Sequence, residues 1–363
     1  MSAFPKPPDR NGHPSPLPLG DPVRIGVVGL GYWGPNLVRN LNELPEAEVA
    51  YVCDGRAEPL EAIGRRYPAT QVTRSFDAVL NDPTVDAVAI ATPVSTHFEL
   101  AARALEAGKH VFDEKPLAGS SAEARELIEL ALERELVLMP GHTFLYSPPV
   151  DAVRHLIASG ELGDIYFIST SRVNLGLHQA DVSVAWDLGP HDFSILRYWL
   201  GETPSHVTAL SRGCVIPSIP DVTFINLEFP SAAIAHVELS WLAPSKLRRT
   251  TVVGSEKMVV YDDTSTEPVR VFDSGVDLPN PETFGEYRMA YRTGDILSPK
   301  IGAAEPLLLE MRDFCTAITT AVAPRSSADL GLEVVRIIEA VDASLAAAGS
   351  RVAVDDVLPL LAS

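Results

Sequence analysis

Apolar and polar positions along the chain follow two successive rhythms. In the first, apolar runs of strand length cover residues 24–28, 47–53, 85–91 and 136–139, and another strand begins over 109–112. Between them lie stretches of helical spacing. Residues 96–107 place Leu100, Ala104 and Leu105 on one side, with Gly108 as a stop. Ser120 and Glu123 form a capping-box pattern ahead of a helix over 122–134. Strands separated by helices predict a parallel sheet wound on both faces, spanning residues 23–143.

The second rhythm follows a helix over 151–158 that Gly160 closes. Short strands then succeed one another over 165–173, 206–210, 222–229, 233–239, 249–253 and 258–261. Several alternate strictly, as in Phe224, Ile225, Asn226, Leu227, Glu228 and Phe229. Alternation without long intervening helices predicts a mainly antiparallel open sheet with one face buried. Residues 262–304, rich in Pro, Gly and charge, read as a long excursion, and two helices over 306–322 and 329–348 end the pattern. The expectation is therefore an α/β chain: a polar, Pro-rich flexible arm over 1–22, a doubly wound N-terminal domain over 23–143, and an α+β domain over 144–363.

Composition narrows the class. The chain has 363 residues, 46% hydrophobic and 21% charged, which fits two soluble domains. No stretch approaches the ~20 apolar residues that span a bilayer, and the N-terminus lacks the pattern of a secretion signal. Cys53, Cys214 and Cys315 are odd in number and far apart, so they read as free thiols in a reducing cytoplasm. A formal net charge of −19 argues against nucleic acid as a partner.

The candidate chemistry starts at Gly29, Gly31 and Gly34, spaced G-x-G-x-x-G after the first strand. Gly29 permits a tight turn, Gly31 lets backbone approach a pyrophosphate, and Gly34 lets the next helix pack closely. The plain alternative is a glycine turn that serves packing only. Asp54 ends the second strand 20 positions after Gly34, where a carboxylate would meet an adenosine ribose. That favours NAD over NADP, although the neighbouring Arg56 is suited to a 2′-phosphate; Asp54 as a simple strand-end turn residue stays open.

Lys115 stands at the carboxyl end of a predicted parallel strand, where ligands bind in open α/β sheets. Its ammonium can polarise a carbonyl or stabilise an alkoxide, or it can be a solvated partner of Glu114. Asp187 and His191 are four apart and share a face on a helix, an arrangement that suits a proton shuttle; a capping aspartate and a core histidine are the alternatives. His142, His178 and His236 show no metal-ligand pairing. No G-x-S-x-G elbow and no P-loop accompany these residues.

Together these segments resemble the Gfo/Idh/MocA family of NAD(P)-dependent oxidoreductases. The resemblance rests on Gly29-Leu-Gly-Tyr-Trp-Gly34, Ala91-Thr-Pro-Val-Ser-Thr-His97, Glu114-Lys-Pro116, and Asp187 with His191. It implies NAD binding by Gly29, Gly31, Tyr32, Trp33, Gly34, Asp54, Thr92, Pro93, His97, Glu114 and Lys115. It further implies a cis bond before Pro116, catalysis by Lys115, Asp187 and His191, no metal, and a homodimer or homotetramer formed through the C-terminal sheet. Segments around Gly141–Pro148, Arg172–Leu177 and Ser240–Pro244 resemble a branch of nucleotide-sugar and amino-sugar metabolism. Tyr146, Arg172, Asn174 and Trp241 are the candidates for contacting a sugar there. The implied activity is hydride transfer at a ring hydroxyl of a sugar. A redox glycosidase, a 3-ketosugar reductase and a non-catalytic dinucleotide-binding regulator are the alternatives on the same fold.

Overall fold

A computed structural model describes residues 20–176, 178–179, 182–277 and 290–354. All but the last three residues of the expected N-terminal arm lie outside the described residues. The chain divides into two compact units: residues up to Tyr146 together with Ala304–Val335, and Ser147–Ala303 together with residues from Arg336 onward.

In the first unit, strands β1 (Val23–Val28), β2 (Ala47–Cys53), β3 (Gln71–Thr73), β4 (Ala87–Ile90), β5 (His110–Glu114) and β6 (Leu138–Gly141) form one sheet in the order β3-β2-β1-β4-β5-β6. Its pairings are parallel. Helices α1 (Gly34–Glu43), α2 (Ala57–Arg66), α3 (Phe76–Leu80), α4 (His97–Glu106) and α5 (Ser121–Glu133) connect them. Strand order reverses between β1 and β4, the point at which such sheets open a ligand crevice. The central strands β1, β4 and β5 are buried on both faces, and Val88, Ile90 and Val111 join Leu127 of α5 in one apolar core. The capping pattern ahead of α5 is realised: the Glu123 amide donates to Ser120 Oγ.

The second unit opens with α6 (Pro148–Ala158), β7 (Ile165–Leu175) and α7 (Val184–Leu200). There follow β8 (His206–Arg212), β9 (Val222–Glu228), β10 (Ile234–Ser240), β11 (Leu242–Gly254), β12 (Met258–Asp262), β13 (Val269–Asp277) and β14 (Ala290–Leu297). With β15 (Val352–Ala353) they make a nine-stranded sheet in the order β14-β13-β12-β11-β7-β10-β9-β8-β15. β7 and β10 run parallel, and the other described pairings are antiparallel. Alternation decides the faces: Ile168, Val237, Leu239, Ile225 and Leu227 are buried, whereas Phe167, Ile234, Phe224 and Leu210 are exposed on the opposite side.

Two differences from the pattern stand out. The stretch read as an excursion holds β13 and β14, which extend the sheet from β12 through Met258 paired with Phe272. Val269 and Val271 alternate as a strand should, but flanking Pro, Gly and charge mask the short run. The helix read over 306–322 is α8 (Pro306–Thr320), and it belongs to the first unit. Glu305 at its start accepts hydrogen bonds from Arg39 and Asn40 of α1, and Phe314 packs edge-on against Phe112. The last helix, α9 (Ala328–Ala346), begins in the first unit and passes to the second at Arg336. No described helix is long and apolar enough to cross a membrane.

Candidate active site

The glycine turn after β1 is built for close approach. Gly29 has φ +90°, and a Cβ there would lie 2.5 Å from the Ala91 carbonyl oxygen. A Cβ on Gly34 would collide with the Gly29 carbonyl, so α1 can start only where it does. A Cβ on Gly31 would meet nothing within 4 Å, which leaves open space beside the backbone where a pyrophosphate would approach. No side chain caps α1, whose first turn holds Pro35. Tyr32 is largely exposed beside Trp33, their rings stacked with centroids 6.3 Å apart.

Asp54 closes β2 and binds the turn directly. Its Oδ2 accepts from the Leu30 amide at 2.7 Å, and its two oxygens accept from the Arg56 amide and guanidinium. The Arg56 hydrogen bonds hold the carboxyl down at about 2, so it is ionised throughout the neutral range. Asp54 therefore ties the glycine turn to β2 and presents its remaining acceptor capacity at the turn.

Across the switch point, Thr92 and Pro93 follow β4, and the Thr92 hydroxyl bonds Thr96 Oγ1 at 2.7 Å. His97 is 1% exposed. Its two ring nitrogens face the carbonyl oxygens of Thr92 and Pro116 at 2.9 and 3.0 Å, so its polar atoms are turned to main chain and not outward to a cofactor. Glu114 and Lys115 finish β5, and the bond between Lys115 and Pro116 is cis. Burial pushes the Glu114 carboxyl up to about 7, with Lys115 opposing the rise. Burial, with help from Lys115, pushes His142 down to about 3, so that imidazole is neutral. Glu310 of α8 is fully buried, accepts from Thr143 Oγ1 at 2.7 Å, and is driven well up by burial and by Glu114.

In the second unit, Asp187 and His191 stand one turn apart on α7. Asp187 Oδ2 accepts from the Trp241 indole at 3.1 Å. Trp241 is 1% exposed and is itself fixed by backbone bonds to Gly176 and Asp221. Gly176 has no room for a Cβ, which would come within 2.9 Å of the indole. The next acid, Asp192, points the other way: it accepts from Thr170 and Arg172 of β7 and pins α7 to the sheet.

Three of the residues expected to meet a sugar are committed elsewhere. Tyr146 is buried in the first unit, where its hydroxyl donates to Asp313 and accepts from the Ser326 amide. Arg172 is buried against Asp192. Trp241 is a support for Asp187 rather than an exposed platform. Asn174 is half-buried near the end of β7. Alternation along β7 carried the signal for Arg172, since it shares parity with buried Ile168 and Thr170. The spacing carries no signal for Asp113 or Glu310, and for His178 it excludes only a metal-ligand pairing. His178 packs its ring 5.3 Å from that of Trp241 and sits 3.8 Å from Asp221. Glu310 had no signal, being nearly 200 positions from Glu114 (310 less 114).

A six-stranded Rossmann sheet with an open glycine turn and a paired acid at β2 defines an NAD-binding oxidoreductase unit. Residues 23–142 match the family model described as an oxidoreductase family with an NAD-binding Rossmann fold, and residues 150–260 match the GFO/IDH/MocA C-terminal domain. The chain belongs to the Gfo/Idh/MocA family of NAD-dependent sugar or polyol oxidoreductases. The scyllo-inositol 2-dehydrogenase (NAD(+)) of Bacillus subtilis (strain 168) is 31% identical over 64% of this chain and 72% of its own length. The UDP-N-acetylglucosamine 3-dehydrogenase of Acidithiobacillus ferrooxidans is 29% identical over 66% of this chain and 74% of its own. The crystal structure of GenD2 from gentamicin A biosynthesis, in complex with NAD, superposes with TM-score 0.78 at 26% identity, covering 94% of this chain and 98% of that one. Against the first curated relatives, the chain spans 76%, 62% and 61% of their lengths.

Proposed function

We propose that this protein transfers a hydride reversibly between NAD and a ring hydroxyl or ketone of a sugar, most specifically a nucleotide-linked hexose or amino sugar. The observation that carries the reading is the lysine at the end of β5, seated on a buried carboxyl network beside the glycine turn. The Asp187–His191 pair on α7, held by Trp241, supports it. NAD would be held by the Gly29–Gly34 turn, Asp54, Thr92, Pro93 and Glu114, and when bound it supplies the redox chemistry. The Lys115 ammonium stabilises the alkoxide that a hydroxyl becomes as its proton leaves. His191 takes that proton in oxidation and returns it in reduction, and Asp187, fixed by the indole, favours the protonated imidazole. In this reading the protein is a homodimer or homotetramer in the cytoplasm, and the exposed apolar side chains of the second sheet form the contact.

The test is a screen of sugars and nucleotide sugars for NADH formation, followed by Lys115→Ala and His191→Ala on the best substrate. Each should lower kcat by ~10²–10⁴-fold while NAD affinity stays within about threefold. Wild-type turnover in both variants would refute the assignment. Turnover of substrate with no change in NADH absorbance would point to a redox-neutral reaction on the same residues.

A further inference from the structure

We propose that His97, held against Asp113, is a positioning residue for Lys115: its ring clips together the two main-chain turns at Thr92 and Pro116 and so fixes where the lysine stands. The inference rests on the reading that Lys115 serves the reaction. The geometry is confined to one buried spot in the first unit. His97 is the first residue of α4, Thr92 follows β4, and Asp113 and Pro116 flank Glu114 and Lys115 at the end of β5. Nε2 lies 2.9 Å from the Thr92 carbonyl oxygen. Nδ1 lies 3.0 Å from the Pro116 carbonyl oxygen and 3.3 Å from Asp113 Oδ1. His97 is 1% exposed and Asp113 is fully buried.

Proton counting makes this more than a packed histidine. A neutral imidazole carries one N–H, yet here the ring faces two carbonyl oxygens and a carboxyl. Neither Asp113 oxygen has a hydrogen-bond partner among the described residues, which leaves the imidazole as its polar neighbour. Both carbonyl oxygens accept hydrogen bonds only if each ring nitrogen carries a proton, Nε2–H donating to Thr92 and Nδ1–H to Pro116, with Asp113 Oδ1 3.3 Å from that second proton's nitrogen as its counter-charge. The other charged groups near the pair act on it from one side: Lys115 disfavours a second positive charge on the ring, and Glu114 disfavours a negative charge on Asp113. Burial adds to both effects, pushing His97 down and Asp113 well up. A pair that shares that second proton and carries no net charge meets all of these conditions. The clip then holds without titrating across the neutral range. Because Pro116 adjoins Lys115, the Nδ1 contact is the one that places the lysine, and the Nε2 contact places Thr92.

Two measurements on the ligand-free, full-length protein test the idea. The chain has six lysines, so reductive ¹³C-methylation gives a resolvable NMR spectrum in which Lys115→Arg identifies the Lys115 signal. An asparagine amide occupies the Nδ1 position of histidine and a glutamine amide the Nε2 position. His97→Asn should therefore leave the Lys115 resonance near its wild-type position, whereas His97→Gln should shift or broaden it; Lys109 serves as the unmoved reference. A Lys115 signal unchanged in both variants overturns the proposal. Where the variants fail to fold, ¹⁵N-histidine labelling of the wild type decides: the His97 ring should keep one protonation state from about pH 5 to about pH 9, while an ordinary transition near ~6.5 overturns the shared proton. Neither readout depends on turnover. If Lys115→Ala keeps full activity but the NMR results hold, the clip stands and the catalytic reading of Lys115 falls.

Discussion

At the scale of single residues, Glu114 sets a pH signature. Its carboxyl is raised from 4.5 to about 7 because it is buried. The folded protein thus binds this proton more tightly than the unfolded chain does. The stability associated with Glu114 is fully present below about 4.5 and is lost as pH rises through about 7. Glu114→Gln should flatten the fall in Tm over that window and leave the variant the more stable protein above it. Thermal melts at stepped pH check this; a variant curve parallel to wild type would contradict it. The glycine turn and Asp54 were legible in the sequence because their chemistry depends on local spacing. Tyr146 and Trp241 were not, because what decides each is a carboxylate remote in sequence, Asp313 and Asp187 respectively, whereas the burial of Arg172 follows from the parity it shares with Ile168 and Thr170. His97 reads as a cofactor contact because nothing nearby in sequence announces the Pro116 carbonyl that its ring faces.

At the scale of elements, α7 matters because it carries Asp187 and His191 and is fastened by Asp192. Arg172→Met would strand that buried carboxylate without its cation. A loss of ~3–5 kcal/mol is expected in chemical denaturation, much of it regained when Asp192→Leu is added. Turnover should fall further than cofactor affinity, since the first unit is untouched; an unchanged denaturation midpoint would mean that Arg172 does not fasten the helix. Long elements with strong periodicity, such as β2, α4 and α5, were readable to within a residue or two. β13 and β14 escape the pattern because β13 takes its register from β12, through pairings such as Val259 with Val271, and β14 from β13, and neither takes it from its own composition.

At the scale of the whole molecule, the outward face of the second sheet carries apolar pairs at two corners. Phe167 lies beside Ile234, and Phe224 beside Leu210, with Ser169, His236, Asn226 and Thr208 in the row between. Exposed apolar side chains grouped this way suit self-association. Light scattering should report an oligomer for the wild type and a smaller species for Leu210→Lys combined with Phe224→Glu, with the fold intact by circular dichroism; a monomeric wild type would count against the interface.

The nucleotide-binding unit is also discontinuous along the polypeptide. Arg39 and Asn40 wait for Glu305, and Thr143 waits for Glu310, across more than 150 intervening residues. A ribosome that has delivered every motif of the cofactor turn has still not delivered the helix against which that turn's own helix rests. Maturation of that unit is therefore timed by a segment synthesised more than 150 residues after its cofactor turn.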